Sequence, residues 1–290
     1  MDISLIVSTR DRCRQLGAHL RSVRHIIFDR PWEIIIVDNG SSDETAAVVR
    51  EFISSAPATV SFLSEPRPGK SNALNKALAI AQGEIAVFTD DDCYVERDFL
   101  ERVWSAFRNP KVGYITGCIL LHDPGDYRVA VKESNEPLTF SGRSFLHTGS
   151  VIGANMAFRR SVLAQIGGFD PLFGPGSPFY AGEDVDVASR ASAIGWMGQY
   201  RPEIIVRHHH GRKASDFAHL AKGYSIGRGA YHMKLLLRGH EVKWFLRSVC
   251  SLPRRMRRYR RLIIWETFGA AMYFYHYLRE VVIGLRNNDP

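Results

Sequence analysis

Along the N-terminal two thirds of the chain, short unbroken apolar runs alternate with stretches whose apolar residues recur at helical spacing. Ile3 to Thr9 reads as a first strand. Cys13 to Ile27 reads as a helix with Leu16, Leu20, Val23 and Ile27 on one face. Trp32 to Val37 is a second strand, apolar on both sides, which suits a parallel sheet covered on both faces. It runs into a turn cluster, Asp38-Asn39-Gly40-Ser41-Ser42-Asp43, ahead of a helix over Glu44 to Ile53. A strand at Val60 to Leu63, a helix at Lys70 to Ala81 and a strand at Glu84 to Phe88 continue the rhythm. This βαβαβαβ order predicts a doubly wound α/β sheet flanked by helices, with ligands gathered at the carboxyl ends of its strands.

The later pattern is less regular. Val112 to Leu121 reads as a strand, and Asp123-Pro124-Gly125-Asp126 as a turn. Gly149 to Arg160 offers a strand with small residues, and Ser161 to Ile166 a short helix stopped by Gly167-Gly168. A helix begins at Glu183 and Asp184 and reaches Ile194; two acids there suit a helix N-terminus. Ile204 to Val206 is a last apolar strand, leading into Arg207-His208-His209-His210. On extended chain, His208 and His210 share a face. Helices are expected over Ser215 to Arg238, Val242 to Val249 and Leu262 to Leu285. The pattern divides at residue 211: a sheet domain over 1–211, in halves 1–110 and 111–211, and a helical extension over 212–290.

Charge sharpens that division. Residues 1–200 carry 20 Lys and Arg against 24 Asp and Glu, a net of −4. Residues 201–290 carry 18 against 6, a net of +12. Arg254-Arg255-Met256-Arg257-Arg258-Tyr259-Arg260-Arg261 is the densest cluster, and the aromatic-rich Leu262 to Leu285 follows it. Glu266, Gly269, Tyr273, His276 and Glu280 form a more polar stripe within that helix, which disfavours a lipid-exposed span. An amphipathic helix on an anionic membrane surface is expected, with packing against the sheet domain as the alternative. No nucleic-acid-binding motif accompanies the charge. The four cysteines lack CxxC spacing and suggest a reducing cytoplasm. Met1 leads straight into the first strand without a basic region or cleavage site, so a secretory signal is not expected.

Candidate chemistry falls on one rim of the predicted sheet. Thr9 and Arg10 close the first strand, Asp38 the second, and Arg67-Pro68-Gly69-Lys70 follow the third. Asp90, Asp91 and Asp92 close the fourth. Three carboxylates at one strand end repel each other, so a positive partner is required, and a divalent cation with oxygen ligands is one solution. A solvated acidic loop or a helix cap is the plainer alternative. Asp38 is equally well read as a turn former, and Arg67 and Lys70 as solvated loop residues. Neither a GxGxxG pattern nor a P-loop occurs.

Seven segments occur in a recognisable order. They are Ser4 to Arg10, Val37 to Asp43, Gly69 to Asn75 and Thr89 to Asp92, then Gly153 to Arg160, Ile166 to Asp170 and Gly182 to Asp186. Together they resemble the motifs of family 2 glycosyltransferases, inverting GT-A-fold enzymes that use nucleotide-diphospho-sugars. The resemblance covers roughly residues 3–210. It implies a GT-A-type mixed sheet. It also implies that Asp38 meets the nucleotide base, with Thr9 and Arg10 lining the same pocket. By the same likeness Asp92 ligates Mg²⁺ or Mn²⁺, Asp90 and Asp91 hold ribose, sugar or water, and Asn155 belongs to the substrate-binding set. Arg67 and Lys70 would add positive charge. Asp184, with Glu183 beside it, would be the catalytic base, and His208 a further metal ligand. The implied partners are a nucleotide-diphospho-sugar donor and a glycan or lipid-linked acceptor, at the inner face of the cell membrane and without nucleic acid. A sugar-phosphate nucleotidyltransferase would need a Gly-rich loop that Val7 to Arg12 lacks. A membrane-bound partner protein with a degenerate site is the non-enzymatic alternative.

Overall fold

The computed structural model describes residues 1–237 and 260–287, which fall into two compact units. The first comprises Met1–Pro171 and Glu183–Ala214. The second comprises Leu172–Gly182 and the chain from Ser215 onward, so an eleven-residue loop inside the predicted sheet domain groups with the C-terminal helices instead.

The first unit is a mixed sheet with strand order β3-β2-β1-β4-β8-β6-β9-β5, and β7 paired to β9. Its parallel half is β1 (Ile3–Thr9), β2 (Trp32–Asp38), β3 (Thr59–Ser64) and β4 (Ile85–Asp90). Helices α1 (Cys13–Val23), α2 (Thr45–Ile53) and α3 (Lys70–Leu78) connect these strands. Ile34, Ile35, Ile36 and Val37 of β2 are all inaccessible, so both faces of the sheet are covered, as the unbroken apolar run requires.

The second half begins with β5 (Cys93–Val95), α4 (Phe99–Ala106), β6 (Val112–Leu121) and β7 (Leu138–Phe140). It continues with β8 (Asn155–Arg159), α5 (Arg160–Ile166), α6 (Glu183–Ala193) and β9 (Met197–His208). Strand β8 runs antiparallel between β4 and β6, which makes the sheet mixed. Helix α5 ends at Gly167 with φ 76°, a left-handed cap that only glycine adopts freely.

Several boundaries differ from the sequence reading. Helix α1 stops at Val23, not Ile27, because His25 and Ile26 donate to carbonyls three residues back and tighten the last turn. Ile27 is left largely exposed. The last strand is far longer than Ile204 to Val206; Pro202, with Arg201 and Gln199 before it, hid its N-terminal half. Strands β5 and β7, three residues each, were below the length at which a pattern shows.

Strands β6 and β9 change register between Gly117 and Cys118. The side chain of Asn155 fills that irregularity, its Nδ2 donating to the carbonyls of Cys118 and Ile204, both at 2.9 Å. A Cβ on Gly117 would run into this amide and the Ile204 carbonyl.

In the second unit, α7 (Phe217–Leu237) packs along α8 (Arg260–Asn287). The backbones meet at Gly229 and Gly269, where a Cβ would strike the facing carbonyls of Glu266 and Ile226. Phe173, Phe179 and Tyr273 stack between the loop and α8, with centroids 5.3 to 6.0 Å apart. No helix among the described residues is long and apolar enough to cross a membrane. The expected helix over Val242 to Val249, and Arg254 to Tyr259, lie outside the described residues.

Gly117→Ala is expected to destabilise the first unit by about 1–3 kcal/mol, the usual cost of overpacking. A lowered urea midpoint with an unchanged slope would show it; an unaltered midpoint would mean that Asn155 is not wedged as described.

Candidate active site

Register brings the strand ends together. Thr9 pairs with Asp38, Ser8 with Asp90 and Asp38 with Ser64, so the carboxyl ends of β1, β2, β3 and β4 form one rim. Across the sheet, His208 at the end of β9 is the register partner of Cys93 at the start of β5.

Asp91 and Asp92 are buried behind this rim. The Thr9 hydroxyl donates to Asp91 Oδ2 at 2.7 Å. Arg12 spans both acids, its Nε 3.4 Å from Asp91 Oδ1 and its Nη2 2.5 Å from Asp92 Oδ2. The second oxygen of Asp92, Oδ1, lies 3.2 Å from His208 Nε2. Burial pushes Asp91 up to about 7, against the pull of Arg12. Burial acts on Asp92 too, but the His208 hydrogen bond and charge, with Arg12, outweigh it and hold Asp92 below the usual carboxylate range. Burial opposes protonation of His208, and the bond to Asp92 reverses that, raising it above its ordinary value.

A second set of acids faces the same cation. Lys70 opens α3, and its ammonium donates to Asp90 Oδ1 and stands 3.8 Å from Glu183 Oε1. Burial disfavours its charge, but Asp90 and Glu183 more than compensate. Asp184 accepts from the Gly153 amide at 3.1 Å through Oδ2, and from the Val185 amide at 2.7 Å through Oδ1. Burial raises Asp184 despite these bonds. Burial, with the Asp184 charge, pushes Glu183 up to about 7. Gly153 leaves the space here: a Cβ would sit 3.2 Å from Lys70 Nζ and 3.6 Å from Glu183 Oε1.

The loop that carries Lys70 is anchored to the end of β2. Asn39 Nδ2 donates to the carbonyls of Glu65 and Arg67 at 2.8 and 2.7 Å, and its Oδ1 accepts from the Gly69 amide at 3.0 Å.

Asp90, Asp92, Cys93 and His208 each place one ligand atom within 4.8 Å of the others. Carboxylate oxygens with an imidazole fit Mn²⁺ well and Mg²⁺ adequately. Of the three adjacent histidines, His208 is the one whose ring stands against the Asp92 carboxylate. His209 Nδ1 is bonded to the Tyr94 hydroxyl at 2.8 Å, and His210 Nδ1 accepts from the Arg212 amide at 3.0 Å.

Other anticipated residues stand elsewhere. Asp38 is on the rim, with Oδ1 accepting from the Ser41 amide at 2.8 Å, so it is a turn former as well. Arg10 is exposed beside Asp11. Arg67 is turned onto Glu65, donating to both its carboxylate oxygens at 2.9 Å, and is thus spent on an internal pair. Asn155 is buried, and its amide donates to carbonyls of two strands inside the sheet. Arg12, Cys93 and Glu65 went unnoticed in the sequence. Arg12 follows Asp11 at φ 51°, and it is Arg12, not Arg10, that reaches the acids. Three consecutive carboxylates, Asp90 to Asp92, in need of a positive partner were the signal for it.

Comparisons with known proteins agree on one family. The family profile of glycosyl transferase family 2 matches residues 4–167, more than half of the chain. An uncharacterised glycosyltransferase of Nostoc sp. is 26% identical over 178 residues, 59% of this chain and 55% of that protein. Glycosyltransferase AglE of Haloferax volcanii is 22% identical over 81% of this chain and 74% of its own length. The pre-mycofactocin glycosyltransferase of Mycobacterium tuberculosis is 26% identical over 74% of this chain, but the match takes in only 44% of that protein. The chain thus spans from about half to three quarters of the length of these relatives. Among solved structures, a mannosyltransferase of Pyrobaculum calidifontis in complex with GDP-Man and Mn²⁺ superposes with a TM-score of 0.61. It is 24% identical, over 80% of this chain and 63% of that one. Residues 1–349 of S. aureus TarS in complex with UDP-GlcNAc give 0.61 at 17% identity, over 82% and 67%. The fold is therefore of the GT-A type.

Glu183 leads to an expected pH dependence of stability. A carboxyl whose folded value is raised binds its proton more tightly when folded, so stability is fullest below the unfolded value. It is lost as pH rises from about 4.5 through about 7. Glu183→Gln is expected to remove that loss: between pH 5 and pH 8 its melting temperature should fall less than that of the unmodified protein. Parallel melting curves would contradict the assigned burial.

Proposed function

The chain belongs to glycosyl transferase family 2, and from that premise we propose that it moves a sugar from a nucleotide-diphospho-sugar to a hydroxyl acceptor, with inversion at the anomeric carbon. The observation that most supports this reading is Lys70. One buried ammonium touches Asp90 of the strand-end acids and approaches Glu183 beside Asp184, so both carboxylate sets gather around one cation.

In this reading Asp92 and His208, with Asp90 beside them, hold a divalent cation. A divalent cation held by these residues would supply Lewis-acid stabilisation of a diphosphate leaving group. Asp184 is the base. Two backbone amides fix its carboxylate, and burial keeps its proton affinity above that of a solvated aspartate, which suits proton removal from a hydroxyl. Lys70 screens Asp184 and Glu183 from Asp90 and keeps the acids from repelling one another apart. Arg12 does the same for Asp91 and Asp92. Asp38, with Thr9 and Arg10 near it on the rim, takes the base end of the donor, and Asp91 the ribose. Arg67 reaches the donor only by leaving Glu65. Two structural neighbours carry GDP-Man and UDP-GlcNAc, so a purine and a pyrimidine donor both belong in the test.

The second unit supports a location. On α8, Ile264, Phe268, Tyr275, Leu278 and Val282 recur at helical spacing and are all exposed. Arginines precede them in the sequence at 254, 255, 257, 258, 260 and 261. We place this face on an anionic membrane surface at the cytoplasmic side, where each basic residue adds on the order of 1 kcal/mol. A lipid-linked or membrane-proximal glycan acceptor would follow.

Asp184→Asn is expected to leave donor binding near normal and to lower turnover by at least roughly 100-fold, the scale of general-base effects. Retained turnover would remove Asp184 from that role. In calorimetric titrations with UDP, dTDP and GDP, Asp92→Ala should abolish whatever part of the affinity depends on Mn²⁺. The double variant Phe268→Asp, Leu278→Asp should sediment poorly with vesicles containing phosphatidylserine that retain the unmodified chain. Equal retention of both would exclude this face as the contact.

A further inference from the structure

We propose that the strand-end cluster is also a thiolate site: Cys93 Sγ, Asp92 Oδ1 and His208 Nε2, with an Asp90 oxygen, seat a borderline-soft divalent ion such as Zn²⁺. Its occupation excludes the catalytic cation. The exclusion rests on the donor-site reading above; the binding itself does not.

Cys93 and His208 are register partners on an antiparallel pair, so their side chains leave the sheet on the same face. Both are buried, as is Asp92. Asp92 Oδ1 is 3.2 Å from His208 Nε2 and 3.9 Å from Cys93 Sγ. Zinc bonds of about 2.1 Å to N and O and about 2.3 Å to S, set tetrahedrally, place such ligand pairs roughly 3.4 and 3.6 Å apart. The two Asp92 pairs therefore lie within tenths of an ångström of that spacing, and Cys93 Sγ and His208 Nε2 stand within 4.8 Å of each other. Arg12 sits on Asp92 Oδ2 and leaves Oδ1 to face the other two ligands. Asp90, within 4.8 Å of all of them, is the fourth candidate.

The donor set sorts metals by softness. Thiolate adds little for Mg²⁺ or Mn²⁺, which prefer oxygen, but strongly favours Zn²⁺, Co²⁺ and Cd²⁺. Binding is balanced by release of the Cys93 thiol proton to solvent as the sulfur–metal bond forms. A cell-scale consequence is a transferase silenced by free zinc and restored when zinc is withdrawn.

The test titrates the reduced full chain with Cd²⁺ and follows the ultraviolet thiolate-to-cadmium charge-transfer band. A band saturating at one equivalent is expected. It should vanish in Cys93→Ser and in Cys93→Ala, and persist in Cys13→Ser and Cys118→Ser. His208→Gln should shift its half-saturation upward about tenfold or more, the range for losing a supporting ligand. The two Cys93 variants guard against a folding defect, which circular dichroism would reveal; the His208 shift then decides alone. In assays supported by Mn²⁺, the Zn²⁺ concentration for half inhibition should rise by about tenfold in Cys93→Ser. No band in the unmodified protein, or a band undiminished in both Cys93 variants, overturns the proposal even if Mn²⁺-dependent donor binding is intact. A Cys93-dependent band without any Mn²⁺-dependent donor binding would leave the thiolate site standing and remove the donor-site reading.

Discussion

The structure depends on holding like charges together out of water. Two unit charges about 4 Å apart repel by roughly 4 kcal/mol near a protein surface, and more where solvent is excluded. Asp90, Asp91 and Asp92 are consecutive, and Glu183 and Asp184 lie beside them. Fixed cations and hydrogen bonds make this tolerable. Arg12 covers Asp91 and one oxygen of Asp92, the His208 ring meets the other oxygen, and Lys70 joins Asp90 to Glu183. Where compensation is incomplete, the acids keep protons instead, as Asp91 and Glu183 do at about 7.

Each of these partners arrives from a different part of the sheet. Arg12 follows β1, Lys70 follows β3, and His208 ends β9. A fold with strand ends gathered on one rim is what makes such convergence possible, and the acids are its beneficiaries. This also explains why a fold shared at 17–24% identity with sugar transferases can be kept while much else varies: the rim is set by backbone register.

The parallel half of the sheet was legible because its strands are covered on both sides and carry unbroken apolar runs. The strand-end acids and the Glu183-Asp184 pair were legible as motifs, and the register of β1, β2 and β4 brings most of them to one rim. Arg12 was not, since a polar loop gives no periodicity and Asp11 turns the chain with a backbone angle that no residue type announces. Cys93 was passed over because the cysteines were weighed only by their spacing from one another. Asn155 was legible as part of a motif, but its link between Cys118 and Ile204 was not, because a register change in the sheet leaves no mark in the sequence. Strand β9 was underestimated because its outer half is polar, and pairing rather than burial makes it a strand.

Asn39 deserves its place beside the charged groups. Its amide ties the stretch from Glu65 to Gly69 to the end of β2, next to Asp38, and Lys70 follows immediately. The rim position proposed for the nucleoside and the ammonium that joins two acid sets are thus mounted on one bracket. On that proposal, a change at Asn39 that shifts the nucleoside end also shifts the charge at the reacting centre.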